Sequence, residues 1–133
     1  AVAPLDLKVV SGNVFTAPEI ATVGMSQAQA DVAVPKVAAV KLPLSGNPRA
    51  KMQGLHDGFV KVFCLPVTGI VVGGVVVAPR ASELIYPLTI AVSERLTVDQ
   101  VAHSFTIYPS VSGSLAEAAR QLHLHGADLV SKE

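Results

Sequence analysis

The chain has 133 residues, 50% hydrophobic and 15% charged, with ten basic and ten acidic side chains and a formal net charge of +0. That is one domain's length, apolar enough to exclude disorder and long enough to bury a core without disulfides. With no basic excess, a general affinity for nucleic acid or for an anionic lipid surface is excluded as well.

In chain order, AVAPLDLKVV is an entry segment, and because it opens without methionine the chain reads as processed, cloned or cut. SGNVFTAPEIATVGM holds two short extended pieces on either side of the turn-forming Ala17-Pro18. Ser26 and Gln29 make a capping box, which predicts a short helix to about Asp31. KVAAVKLPL (36–44) is β-branched and apolar, a strand. SGNPRAKMQG (45–54) reads as a polar loop.

The strongest strands are HDGFVKVFC (56–64) and GIVVGGVVVA (69–78), close enough in sequence to pair as an antiparallel hairpin. In the first, Phe59, Lys61 and Phe63 share one face and Val60, Val62 and Cys64 the other. The second is apolar almost throughout, which predicts a central strand covered on both faces. It is also far too short to span a bilayer as a helix.

The period then changes. Leu84, Ile85, Leu88 and Val92 share a side of a helix over 80–96, with Ser82 at its N-cap and Pro87 kinking its interior. Thr97 with Gln100 makes a second capping box, opening a short helix to about His103. Strand-like SFTIY follows. Ser114 with Glu117 makes a third box, opening a helix whose Leu115, Ala118, Ala119 and Leu122 form one stripe. The tail GADLVSKE reads as frayed. Strands first and helices last predict an α+β domain over 1–133, an antiparallel sheet packed against α-helices. So few charges also imply that part of the surface meets another protein.

Candidate chemistry is sparse. Gly69 and Gly74 have the spacing of a phosphate loop, but Val75 stands where its lysine must be. Gly73-Gly74 is better read as a bulge or a close backbone approach. His123 and His125 lie two apart at a helix end and point different ways, a poor metal pair; no metal site is expected. His56 reads as solvated at the hairpin entrance. Ser112 with His103 lacks the elbow of a serine hydrolase, and the serines are turn and cap residues. Cys64 on an apolar strand is an inert core thiol, and a lone cysteine fits a reducing, cytoplasmic compartment.

Several stretches together resemble one module. VFTAPEIATVGMS (14–26), GFVKVFC (58–64), TGIVVGGVVV (68–77), ASELI (81–85), LTVDQVAHSF (96–105) and YPSVSGSLAEAA (108–119) follow the order of the C-terminal domain of the pyridine nucleotide-disulfide oxidoreductases. These include lipoamide dehydrogenase and glutathione reductase. The resemblance implies the dimerisation domain of a homodimeric flavoenzyme. Its FAD- and NAD(P)-binding domains would lie outside this chain, which is expected to bind neither FAD nor NAD(P)H alone.

In that family the loop at 108–113 carries a histidine followed by proline, with a glutamate five residues on. The histidine reaches across the dimer to the partner's redox thiols beside the flavin, and the glutamate orients it. Thiol–disulfide exchange needs a thiolate, and imidazole holds the proton near neutral pH. Here Tyr108 stands at the histidine position, Pro109 keeps the proline, and Gly113 stands at the glutamate position. A phenol titrates near 10 and is a poor base at neutral pH. The resemblance therefore points to the branch that passes electrons from NAD(P)H through FAD to quinones or other small acceptors. Tyr108 and Pro109 would then line the partner subunit's flavin pocket, unless Tyr108 is simply a packed interface aromatic. Two other readings stand beside this one: an active dihydrolipoamide dehydrogenase in which another group, His103 being nearest, replaces the dyad, and a non-catalytic interaction module.

Overall fold

The computed structural model describes the backbone of residues 1–130 and the side chains of residues 1–123. Five strands, β1 (Gly12–Val14), β2 (Glu19–Gly24), β3 (Ala38–Pro43), β4 (Phe59–Cys64) and β5 (Val71–Ala78), form one sheet in the order β1-β2-β5-β4-β3. All its pairings are antiparallel. Among the described residues six α-helices accompany it: α1 (Gln27–Val32), α2 (Pro48–Met52), α3 (Ala81–Leu84), α4 (Tyr86–Ser93), α5 (Val98–His103) and α6 (Gly113–Val130). The α+β class expected from the sequence is the class observed.

β4 and β5 form the expected hairpin, and β5 is the middle strand. The alternation along β4 holds. Val60, Val62 and Cys64 enter the main core, while Phe63 is buried on the opposite face with Ala30 and Val37. The main core lies between the sheet and the helices α3, α4 and α6: α3 and α4 pack over β2 and β5, and α6 over β3 and β4. The second face is covered less completely than β5's composition predicts. α1 shields only one end of it, and Val72, Val75 and Val77 stay half-buried.

The two adjacent glycines in β5 mark close approaches. A Cβ on Gly74 would stand 2.5 Å from Leu88 Cδ1, and one on Gly73 would stand 2.6 Å from the carbonyl oxygen of Met25. Opposite the step from Phe63 to Cys64 the register skips Val72, so β5 itself carries the extra residue of a bulge, next to Gly73.

The capping boxes at Ser26–Gln29 and Thr97–Gln100 form as the sequence predicts, each side chain accepting the other residue's backbone N–H. Four other helix starts differ from expectation. The helix over 80–96 is divided at Ile85, not merely kinked. Pro87 has no N–H to offer the carbonyl of Glu83, so it sits in the first turn of a new helix, α4. Ser82 is not the N-cap of α3. Arg80, in the left-handed region at φ 60°, holds that place without a side-chain bond, and Glu19 Oε2 accepts the Ser82 N–H at 3.1 Å from across the sheet edge.

Within 45–54 the chain forms α2, with Asn47 as its N-cap and Pro48 at its start. The third box is not formed either. α6 begins at Gly113, which puts Ser114 inside the first turn. Its Leu115, Ala118, Ala119 and Leu122 stripe is buried as expected. Residues 104–108 are irregular rather than extended in a sheet. The expectation of a frayed tail at 126–133, and that for the His125 side chain, lie outside the described residues.

Candidate functional site

The stretch 104–113 links α5 to α6 and carries the residues singled out from the sequence. From Ser110 onward its backbone is tied down by hydrogen bonds, while the side chains of Phe105, Ile107 and Tyr108 before it face outward. Gly113 N–H donates to the Ser110 hydroxyl at 3.2 Å, and the Ser110 and Ser112 hydroxyls lie 3.1 Å apart. Leu115 N–H donates to the Ser112 carbonyl at 3.0 Å. The Tyr108–Pro109 peptide is cis. Phe105, Ile107 and Tyr108 are fully or largely exposed, Tyr108 at 81%. Three large apolar side chains pointing outward from a fixed loop form a surface suited to contact with another apolar body.

This segment forms one wall of a cleft of about 380 Å³. The other walls are Leu42, Pro43 and Asn47 at the end of β3 and start of α2, with Glu117, Arg120 and Gln121 along α6. Glu117 and Arg120 pair with each other across one turn. Gly113 is not a backbone necessity: a Cβ there would meet only the Ser110 hydroxyl at 3.5 Å and the Thr106 hydroxyl at 3.9 Å, ordinary contacts. The position has room for a Cβ and carries none.

The other candidates lie elsewhere or are occupied. His103 ends α5, and its Nδ1 is 2.7 Å from the Asp99 carbonyl oxygen. His123, on α6, pairs with the Asp99 carboxylate. His56 is exposed beside a second cleft, of about 520 Å³, with Asp57, Glu19 and Arg80. Cys64 is buried and unpaired, and burial pushes its thiol up to about 11. Gly69 and Gly74 flank and enter a paired strand, which leaves no phosphate loop between them. Among the described residues no group of three or more His, Cys, Asp or Glu side chains is placed to hold a metal ion.

Sequence reasoning missed Asn47. It was grouped with a polar loop, yet Asn followed by Pro is itself the signature of a helix start. It also missed Glu19 as the group that serves the start of α3, because cap and helix are far apart in sequence.

Comparison with known proteins agrees with this architecture. A family model described as the pyridine nucleotide-disulphide oxidoreductase dimerisation domain matches residues 10–119, and the chain belongs to that family. It is 51% identical over 124 residues to the NAD(P)H dehydrogenase (quinone) of Mycobacterium tuberculosis, which covers 93% of this chain and 25% of that protein. A dihydrolipoyl dehydrogenase of Haloferax volcanii is 37% identical over 114 residues, 86% of this chain and 24% of that protein.

Among solved structures, LpdA from Mycobacterium tuberculosis superposes with a TM-score of 0.88 at 51% identity, covering 92% of this chain and 27% of that one. The HOCl-induced flavoprotein disulfide reductase RclA from Escherichia coli shares the fold, with a TM-score of 0.78 at 24% identity over 84% of this chain and 26% of that one. The chain spans about a quarter of the length of the curated relatives it matches.

Proposed function

We propose that this chain is the dimerisation domain of a homodimeric, cytoplasmic, FAD-dependent NAD(P)H oxidoreductase that passes electrons to quinones rather than to disulfides. The observation that carries the reading is the phenol at position 108, exposed on a fixed turn where disulfide reduction calls for an imidazole. Gly113 removes the orienting carboxylate as well, although a Cβ would fit there. The 51% identity to a protein named NAD(P)H dehydrogenase (quinone) supports the same branch. For membrane placement, no described helix is long and apolar enough to cross a bilayer.

The FAD and nicotinamide domains would belong to the rest of the parent protein. A flavin, when bound, would take hydride from NAD(P)H and release electrons to an acceptor. The residues of this chain fit a wall beside such a group. Ile107 and Tyr108 offer flat or apolar surface with no charged side chain between His103 and Glu117. Their part is to shape the opening, exclude water and offer one phenolic hydroxyl. Phe105, Ile107, Tyr86 and Ile90 supply exposed apolar surface for the dimer contact.

The relatives named dihydrolipoyl dehydrogenase favour a second reading, that lipoamide is the acceptor. Full-length protein assayed with NAD(P)H against a soluble quinone and against lipoamide separates the two. Quinone turnover with lipoamide turnover near background is expected. The paired change Tyr108→His with Gly113→Glu should raise lipoamide turnover only if redox cysteines lie upstream. Comparable turnover of lipoamide by the unaltered protein would overturn the proposal.

A further inference from the structure

We propose that Asn47 is a positioning residue for Tyr108, acting through Ser110 and Ser114. The functional consequence rests on Tyr108 lining the flavin pocket; the geometry does not. Asn47 and Ser114 are the two polar side chains buried in the described core, and they are bonded to each other. Asn47 Nδ2 donates to the Ser114 hydroxyl at 2.7 Å and to the Ser110 carbonyl at 3.0 Å. Its Oδ1 accepts the N–H groups of Arg49 at 2.9 Å and Ala50 at 3.1 Å.

The orientation of the amide is dictated by its partners. The two backbone donors at the start of α2 need an acceptor, so the oxygen must face them and the nitrogen must face the carbonyl of Ser110. One side chain thus spans two roles: it caps α2 and clasps the turn at the start of α6. A cap needs only an acceptor. The donor half of the amide is spent entirely on the 110–114 turn.

The clasp reaches Tyr108 by a short path. Ser110 is held on both sides, by Asn47 at its carbonyl and by Gly113 N–H at its hydroxyl. Only Pro109 lies between Ser110 and Tyr108, and its ring fixes φ. An exposed phenol with few contacts of its own therefore inherits its direction from a buried amide. Without that bond the Ser110 carbonyl would keep only the longer bond from the Gly113 N–H, at 3.3 Å, which is local to the turn, and nothing would tie the turn to α2 through that carbonyl.

Asn47→Asp separates the two roles. It keeps the acceptor at the start of α2, since Asp is as good a cap as Asn, but it removes the donor and turns a charge toward the Ser110 carbonyl. The chain has two tyrosines and no tryptophan, so a preparation with isotope-labelled tyrosine rings reports Tyr108, with Tyr86 on α4 as an internal reference. Asn47→Asp should shift or broaden the Tyr108 signal toward its unfolded position and leave Tyr86 in place. Ser114→Ala should do the same more weakly. A Tyr108 signal unmoved in both variants, or two tyrosines that move together, would overturn the assignment.

In the full-length protein, Asn47→Asp should lower kcat/KM for a quinone by about tenfold, the scale of a small misplacement. In a Tyr108→Ala background it should change kcat/KM by no more than about twofold, because the two act in series. Additive losses would show that Asn47 acts some other way. If Tyr108→Ala leaves quinone kinetics unchanged, the flavin-wall reading fails, and the tyrosine signals still decide whether Asn47 holds the turn.

Discussion

At the centre of the sheet Gly74 receives the tip of Leu88, and Val60, Val62 and Val76 close around them at 0–1% exposure. At the strand ends Asn47 reaches Ser110 and Glu19 reaches Ser82, each across 63 positions of sequence, through hydrogen bonds. The first region is held by shape. Its free energy comes from excluded water and dispersion, which have no direction and depend on volume. The second is held by donors matched to acceptors. These bonds add less to stability, but they fix where a loop points. Both clefts open at strand ends, where direction matters, and neither opens over the packed centre.

The shape-held centre is most sensitive at Leu88. Leu88→Ala should cost about 2–5 kcal/mol, the usual range for a buried leucine. Gly74→Ala alone should cost about 1–3 kcal/mol, because the new methyl has nowhere to go while a fully buried leucine tip stands 2.5 Å from it. Together the two should cost less than their sum, since the added methyl refills part of the space the leucine leaves. Urea unfolding of the chain and its three variants measures all of this. Strict additivity would mean that shape does not govern the centre.

How much of this was legible in the sequence follows the same division. The β4–β5 hairpin, the alternation of Val60, Val62 and Cys64 against Phe63, and the α6 stripe could be read because burial imposes a period on consecutive residues. The Ser26 and Thr97 caps could be read because both partners of each box lie within one turn. Ser82 and Ser114 fit local cap patterns but do not cap: in folded form α3 takes its acceptor from Glu19, and Ser114 is held by Asn47. No local window contains those partners. Pro87 predicts a kink in one helix, because nothing nearby in the sequence reveals that Ile85 ends one helix and begins another. The positions of Tyr108, Pro109 and Gly113 came from a family resemblance, not from composition. The cleft they share with Asn47 needed the fold.

A smaller effect tests the shape-held region from inside. Burial pushes the Cys64 thiol from 9.0 up to about 11. The unfolded chain therefore gives up this proton more readily than the folded one. The resulting stability is intact below pH 9.0 and is lost as pH rises toward about 11. A thiol-reactive disulfide reagent at about pH 8 should label Cys64 slowly in the native chain and rapidly in urea. Cys64→Ala should flatten the alkaline decline relative to the unaltered chain. Rapid native labelling would place a solvent path through a strand whose Cys64 is otherwise buried.

The smallest effect lies at the polar end. Glu19 is held below its ordinary 4.5 first by the backbone N–H of Ser82, then by the Ser82 hydroxyl, with lesser help from Asn13 and from the backbone at Arg80; partial desolvation opposes them. A depressed carboxyl is more easily charged in the folded chain than in the unfolded one. Its contribution is therefore present above pH 4.5 and is lost as pH falls through the folded value. Glu19→Gln keeps an acceptor for Ser82 but no charge. The unaltered chain should be slightly the more stable above pH 4.5, and its advantage should shrink as pH falls through the folded value. Solvent around the carboxylate keeps the difference small. A difference that stayed constant over that range would mean that α3 needs only an acceptor at its start. Glu19 would then resemble Asn47 in geometry alone, with its charge playing no part.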